Sequence, residues 1–271
     1  MDWHRDHVYY DLTPTNNIGS FDNSYSETIT EIRFLNPEAA LSAISDQVGD
    51  PIIHTSELYM NAHDRDNFHP NMFWTEGYFE FMVIVLINGK NGVGSTISKK
   101  VDASPQDLFE IKYTHFKNPS NSWFVIDGIL PKRYKLNVEI LPWNLDSYST
   151  AWKFEMYEMD PSQETNSQHT ISSEFATNFE FSVEYGEKVK VGLKFGASQK
   201  TTETSTFSVK TELDDDFLGQ SILSFDQPII VSRVSHRPSN RPPRPGGVEY
   251  RTREITFGNV LSMSVEPVKQ F

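Results

Sequence analysis

The residues best suited to bind a metal ion crowd into one short segment: His63, Asp64, Asp66, Asn67 and His69. Imidazole nitrogens and carboxylate or amide oxygens are ligands for calcium and for transition metals. Their spacing, however, fits neither the EF-hand loop nor the H-E-x-x-H motif. We therefore expect a solvated polar loop, with a metal site built from His63, Asp64, Asp66 and His69 as the alternative, and we predict no cofactor.

The sequence contains no recognisable catalytic constellation. It has no cysteine for a thiol nucleophile and no G-x-S-x-G motif. Residues 89–96 match the glycine spacing of a phosphate loop, but Ser95 stands where that motif requires lysine. We assign no catalytic residue and lean against an enzyme, keeping a carbohydrate-active enzyme as a third hypothesis. Four tryptophans are candidates to line a sugar site, although core packing is the commoner role: Trp74, Trp123, Trp143 and Trp152.

The longest pattern in the chain is a period-two alternation that begins near residue 171. Apolar side chains occupy odd positions and polar ones occupy most even positions, and a Ser/Thr-rich continuation ends at Thr211. Such an alternation predicts long strands with two unlike faces. The apolar set comprises Ile171, Phe175, Phe179, Phe181, Val183, Tyr185, Val189, Val191, Leu193 and Phe195.

The run from Ser172 to Glu212 resembles the insertion hairpin of the aerolysin-like β-pore-forming proteins. The resemblance is one of pattern, carried mainly by Glu174 to Gly196, and it covers roughly a sixth of the chain. It implies a protein that forms a homo-oligomer and inserts an amphipathic hairpin into a membrane, where a spanning strand needs about 9–11 residues. The membrane-insertion candidates are Phe175, Phe179, Phe181, Val183, Val189, Val191, Leu193 and Phe195.

An ordinary two-sheet domain would produce the same alternation, because one face of each antiparallel strand is buried there. We therefore favour a non-enzymatic, extracytoplasmic β-rich binding or interaction protein with an unknown protein or glycan ligand. The aerolysin-like pore-former is the alternative. The sequence has no apolar leader segment at its start, so we expect a secreted or cell-surface protein whose leader lies outside this sequence, or else a cytoplasmic one.

Composition and strand spacing predict an all-β protein. The 271 residues are 13% aromatic, and turn signals separate apolar stretches about every ten residues. We predict an antiparallel sandwich-like architecture with long amphipathic strands and a short N-terminal helix that starts after Asn36, where Pro37 suits the first helical position. The net charge of −13 argues against a nucleic-acid partner, since phosphate binding requires a basic surface.

The chain divides into three portions by sequence pattern. Residues 1–49 form a polar segment with the short helix, residues 50–160 a sandwich-like portion, and residues 161–271 a second β portion with the long strands. A Pro/Arg-rich stretch at 236–247 predicts an exposed loop without sheet. Within these portions we expect a buried strand from Phe79 to Ile87, a turn at Asp127 and Gly128, and one strand from Ile222 to Val231.

Overall fold

The structure is a computed structural model that describes residues 25–89, 94–142, 148–159, 167–175, 203–211, 216–225, 229–236, 239–240, 243–244 and 246–269. This part of the chain is all-β with short helices, so the predicted fold class is confirmed. The strands are β1 Tyr25–Phe34, β2 Glu57–Asn61, β3 Phe79–Gly89, β4 Gly94–Ala103, β5 Phe109–Lys117, β6 Asn121–Pro131, β7 Tyr134–Leu141, β8 Tyr148–Glu158, β9 Ser167–Phe175, β10 Glu203–Thr211, β11 Asp216–Ser224, β12 Ile230–His236, β13 Ser239–Asn240, β14 Pro243–Arg244, β15 Gly247–Thr252, β16 Glu254–Phe257 and β17 Leu261–Lys269. The helices are α1 Pro37–Ile44 and α2 Pro105–Leu108, and single 3₁₀ turns span Arg65–Asn67 and Pro70–Phe73.

Helix α1 begins where the sequence predicts it. The side chain of Asn36 accepts a hydrogen bond from the amide of Ala39 at 3.3 Å, and Pro37 occupies the first helical position. Both features satisfy or remove amide donors that a helix start leaves without partners. Ala40 and Ile44 are the buried residues of the helix, and they fix it to the core.

Three antiparallel sheets build the body of the described structure. Their strand orders are β16-β17-β1-β7, β11-β8-β3-β4 and β2-β6-β5. The three sequence portions share these sheets: β1 pairs with β17 and β7, while β8 pairs with β3 and β11. The portions are therefore stretches of sequence that contribute to common sheets.

The main core lies where these sheets face one another. Strand β3 contributes Phe79, Phe81 and Val83 at alternate positions, and β8 contributes Trp152 and Phe154 in the same way. Two-sheet packing of this kind buries one face of each strand. The other sheets supply the residues that complete this core, including Ile29, Ile32, Phe34, Phe109, Ile111, Phe124, Met263 and Val265.

Three local predictions differ from the structure. The turn expected at Asp127 and Gly128 is wrong, because β6 continues through both residues and its pairing with β5 shifts register there; a bulge and a turn share this Asp-Gly signature. The single strand expected from Ile222 to Val231 is wrong, because β11 ends at Ser224 and β12 begins at Ile230. Within the stretch at 236–247, β13 and β14 form a two-residue pair, since an edge position tolerates proline.

A glycine fixes β11 against the neighbouring sheet. Gly219 lies at a bulge in the pairing of β11 with β8 and has a φ of +144°, which side chains rarely tolerate. A Cβ atom at this position would lie 3.1 Å from the Cβ of Phe257 in β16. This close approach joins β11 to the second four-stranded sheet.

Candidate functional site

The most unusual connection in the structure leaves and returns at paired residues. Strand β8 ends at Glu158, β11 begins at Asp216, and these two residues are opposite one another in the antiparallel ladder. Between them, β9 and β10 form their own antiparallel pair, from Ser167 opposite Thr211 to Phe175 opposite Glu203. One antiparallel pair is therefore nested inside another along the chain.

The inner pair approaches one edge of the sheet that carries it, next to β4. Strand β10 contacts β3 and β4, yet β9 and β10 form a separate two-stranded sheet within the described residues. The middle of the sheet face that points away from the main core is buried, with an apolar cluster of Met82, Ile84, Leu86, Ala151, Tyr157 and Met159, whereas Ser98 and Lys100 of β4 on the same side are exposed. We call this sheet face the covered face. Because both faces of β3 are buried, its sequence is apolar at almost every position.

An ion pair lies within the covered face. Lys153 and Glu155 on β8 are 2% and 0% exposed, and Lys153 Nζ lies 2.7 Å from Glu155 Oε1. The hydroxyl of Tyr157 donates to Glu155 Oε2 at 3.1 Å. Taking two charges out of water costs several kcal/mol per ion before their attraction offsets it. No signal within β8 itself indicates that this face is covered.

No family model, no curated protein and no solved structure matches this chain. The functional interpretation therefore depends on the chain's own residues.

The predicted membrane-insertion residues fall mostly outside the described part of the chain. Phe175 is the last residue of β9 and pairs with Glu203. The other candidates, Phe179, Phe181, Val183, Val189, Val191, Leu193 and Phe195, lie outside the described residues. No helix among the described residues is long and apolar enough to cross a membrane.

The predicted metal residues lie in an exposed segment held in place by aromatic packing. Asp66 is 92% exposed, and His69 Nδ1 accepts a hydrogen bond from the Asn71 amide at 3.2 Å. Between them, the Phe68 ring stacks on Phe124 with centroids 3.6 Å apart. Within the described ranges, no group of three or more His, Asp or Glu side chains is placed to hold a metal ion. The metal site stays a prediction from sequence.

A second buried pair joins β1 to the segment before β16. Glu27 and Arg253 are almost fully buried, with Glu27 Oε2 and Arg253 Nη2 4.0 Å apart. The Arg253 guanidinium also lies 5.4 Å from the centre of the Phe225 ring. Burial raises the pKa of Glu27 to about 7, while Arg253 acts to lower it and Glu266 to raise it. This carboxyl group therefore changes charge near neutral pH.

The three-stranded sheet carries a row of aromatic rings on its outer face, which we call the aromatic row: Tyr59 on β2, Trp123 on β6 and Phe116 on β5. Tyr59 is opposite Trp123, and Trp123 is opposite Phe116. The ring centroids are 6.4 Å and 5.6 Å apart, and the planes differ by 22° and 11°. Of these three residues only Trp123 is a candidate from the sequence, because the row is formed by three strands that are separate along the chain.

Proposed function

We propose that this protein is a membrane-inserting pore-former that resembles the aerolysin-like proteins in its hairpin. The observation that carries the proposal is the nested pairing of β9 and β10 between Glu158 and Asp216. A segment that leaves and returns at paired residues can detach from the sheet without separating β8 from β11 or from β3. Strands of the main sheets cannot detach in this way, because removing one of them would break its hydrogen bonds to the neighbouring strands.

The sequence of the same segment suits a transfer into lipid. Its alternation places Phe175, Phe179 and Phe181 on one side and polar residues such as Glu180 and Ser182 on the other. A transmembrane strand of about 9–11 residues needs one face for lipid and one for water. The Ser- and Thr-rich part tolerates water and favours strands, so it suits the state before insertion as well.

We propose that the inner pair supplies part of the cover of this face, and the composition of the face favours its release. Exposing an entirely apolar face to water would cost about 25 cal/mol per Å². Here the face also contains Lys153 and Glu155, whose hydration is regained when water reaches them. The ion pair therefore lowers the difference in free energy between the covered and uncovered sheet, and it supports a two-state segment.

Insertion requires more than one copy of the chain. In lipid, a single hairpin would leave backbone amides and carbonyls at both edges without hydrogen-bond partners. Neighbouring hairpins from identical chains can satisfy them. We therefore propose a homo-oligomer in the membrane, with one hairpin from each copy.

Leakage of dye from liposomes tests the proposal. The chain has no cysteine, so single cysteines can carry an environment-sensitive fluorophore without background. We expect leakage, and increased emission from labels at positions 179, 181 and 183 but not at 180, 182 and 184. The absence of leakage after proteolysis, acidification and addition of cell-derived lipids would contradict the proposal, as would equal emission changes at odd and even positions.

A disulfide tether tests whether the inner pair must detach. Ser98 on β4 is exposed on the covered side of the sheet, and β10 contacts β4. We would pair Ser98→Cys in turn with Thr204→Cys, Thr206→Cys and Ser208→Cys, and keep the variants that form a disulfide. The oxidised variants should not release dye, and dithiothreitol should restore release. Equal leakage with the tether intact would show that detachment is not needed.

The second candidate function is the binding or interaction protein favoured by the sequence. The observation in its favour is the exposed aromatic row, in which Tyr59 is 70% and Phe116 is 44% exposed. Exposed aromatic clusters are enriched at sites of recognition. A pore-former also needs a surface that selects its target membrane, so the two candidate functions are compatible.

A further inference from the structure

We infer that the outer face of the β2-β6-β5 sheet binds neutral saccharides, with the aromatic row as the platform. This goes beyond pore formation, because it concerns a different sheet and needs no membrane. Each strand supplies one ring at the same level of the sheet, so the rings are neighbours across two antiparallel ladders. The row is fixed by the strands and needs no rearrangement before it binds.

The rings of the row are not required by the core. The inner face of the same sheet has its own aromatic cluster, in which Phe68 stacks on Phe124 and makes a T-shaped contact with Tyr113. A cross-strand aromatic pair stabilises a sheet by about 0.2–1 kcal/mol. Sheet stability therefore explains the presence of one such pair. The exposed rings of Tyr59 and Phe116 flank the half-buried ring of Trp123, and such an aromatic cluster at a surface is typical of a contact site.

Polar groups border the row on one side. Glu57, Val125 and Thr114 occupy the next level of the three strands. Glu57 Oε2 accepts a hydrogen bond from the Tyr59 hydroxyl at 2.8 Å, and Asp127 Oδ2 accepts one from the Thr114 hydroxyl at 2.7 Å. These bonds fix two carboxylates beside the rings, and each carboxylate can accept further hydrogen bonds from ligand hydroxyls.

Three asparagines border the other side of the row. Asn61 is opposite Asn121, and the Asn118 amide donates to the Asn121 carbonyl at 2.9 Å. The side-chain oxygens of Asn61 and Asn118 accept backbone amides in the adjoining turns. These hydrogen bonds to the oxygen fix the orientation of each side-chain amide, and its nitrogen offers two N–H donors to a ligand.

This arrangement complements a pyranose ring. A sugar presents C–H groups on a flat face, and their slightly positive hydrogens are attracted to the negative face of an aromatic ring. Its hydroxyl groups lie around the rim, where they would meet acceptors on one side and amide donors on the other. Binding sites for small ligands commonly combine an apolar floor with a few placed polar groups.

The charge of the border selects among saccharides. Glu57 and Asp127 place two carboxylates beside the rings, and the whole chain carries a net charge of −13. Both repel sialylated, sulfated or uronic-acid chains. The row crosses three strands, so we assign it a linear neutral oligosaccharide of several units rather than a single sugar.

Calorimetric titration with mannotetraose tests the inference, with tetramannuronate, which has the same sugar configuration and the same linkage, as the acidic counterpart. We expect the neutral chain to bind and the acidic chain to bind at least about tenfold more weakly, the ratio that 1.4 kcal/mol produces. Tyr59→Ala and Phe116→Ala should each weaken binding of the neutral chain by about tenfold or more. Tyr250→Ala is the matched control, since Tyr250 is 56% exposed on β15, and it should bind normally.

Several outcomes would overturn the inference. They are failure of a panel of neutral α- and β-linked gluco-, galacto- and manno-oligosaccharides to bind, equal weakening by Tyr250→Ala, or equal affinity for the acidic chain. Concentration-dependent dimerisation that Tyr59→Ala and Phe116→Ala both abolish would instead identify the row as a self-association surface. The titration contains no lipid, so it succeeds or fails independently of dye release.

Discussion

Two sheet faces in this protein have the reverse of the usual composition. The covered face of the β11-β8-β3-β4 sheet buries a lysine and a glutamate, whereas the outer face of the β2-β6-β5 sheet exposes tyrosine and phenylalanine. Both are second faces of sheets whose first faces form one core. A core face can be explained by hydrophobic burial alone. Hydrophobic burial alone does not explain the composition of the two second faces, and we propose a function for each.

The largest effect is expected within the covered face. Lys153→Ala should lower the free energy of unfolding by about 3–5 kcal/mol, because it leaves a buried carboxylate without its cation. Urea denaturation measures the loss. The double variant Lys153→Met, Glu155→Leu should be as stable as wild type or more so, because well-packed apolar residues often replace a buried pair without cost. It should also release dye more slowly, since an apolar face holds its cover more tightly. Faster release from the double variant would contradict our account of the ion pair.

A comparison across the three-stranded sheet contrasts its two faces directly. Phe124→Ala on the inner face should cost about 3–5 kcal/mol, because it removes a ring packed between Phe68 and His115. Phe116→Ala on the outer face should cost no more than about 1 kcal/mol, the contribution of its cross-strand pair with Trp123. Chemical denaturation of both variants measures this difference. A large cost at Phe116 would assign the aromatic row to the stability of the fold.

The buried pair of Glu27 and Arg253 predicts a pH dependence. The pKa of Glu27 is raised from 4.5 to about 7, so the folded state holds this proton more tightly than the unfolded state. The stability that the group contributes is full below about pH 4.5 and is lost as the pH rises through about 7. The loss is on the order of 3 kcal/mol. Glu27→Gln should remove it, so unfolding free energies measured from pH 4.5 to 8 should fall more steeply in wild type than in the variant. Parallel curves would contradict the raised pKa.

A charge on the predicted membrane side separates release from folding. Phe181→Asp should alter the melting temperature little if the segment detaches, and it should abolish dye release because a charge on the lipid side of a strand opposes insertion. Ser182→Asp, on the opposite side, is the matched control and should retain release. Unfolding of Phe181→Asp would indicate that residue 181 belongs to a permanent core.

The smallest effect is expected from metal ions. Calcium or zinc should leave the melting temperature unchanged, because Asp66 is exposed and His69 already caps a turn. A stabilising shift that the double variant Asp64→Ala, His69→Ala abolishes would support the metal site by mass action.

The sequence predicts single strands well where their own side chains decide the outcome. The apolar run from Phe79 to Ile87 becomes β3, and the cap at Asn36 begins α1. Pairing partners depend on residues far away in the chain, so neither the pairing of β1 with β17 nor the aromatic row could be predicted. The burial of Lys153 and Glu155 depends on a cover from another segment, and β8 alone gives no sign of it. The break after Ser224 was missed because Phe225 and Ile229 are as apolar as the strand residues beside them.

The order of strands in the β16-β17-β1-β7 sheet has a consequence for synthesis on the ribosome. Strand β1 is the first described strand to emerge and β17 the last, yet they are neighbours in the interior of the sheet. Until β17 is translated, Ile29, Ile32 and Phe34 lack the strand that completes their core. Contacts so distant in sequence form slowly and leave apolar surface open to aggregation. We therefore expect the nascent chain to depend on chaperones until β17 has emerged from the ribosome, and recombinant yield to rise with chaperone level.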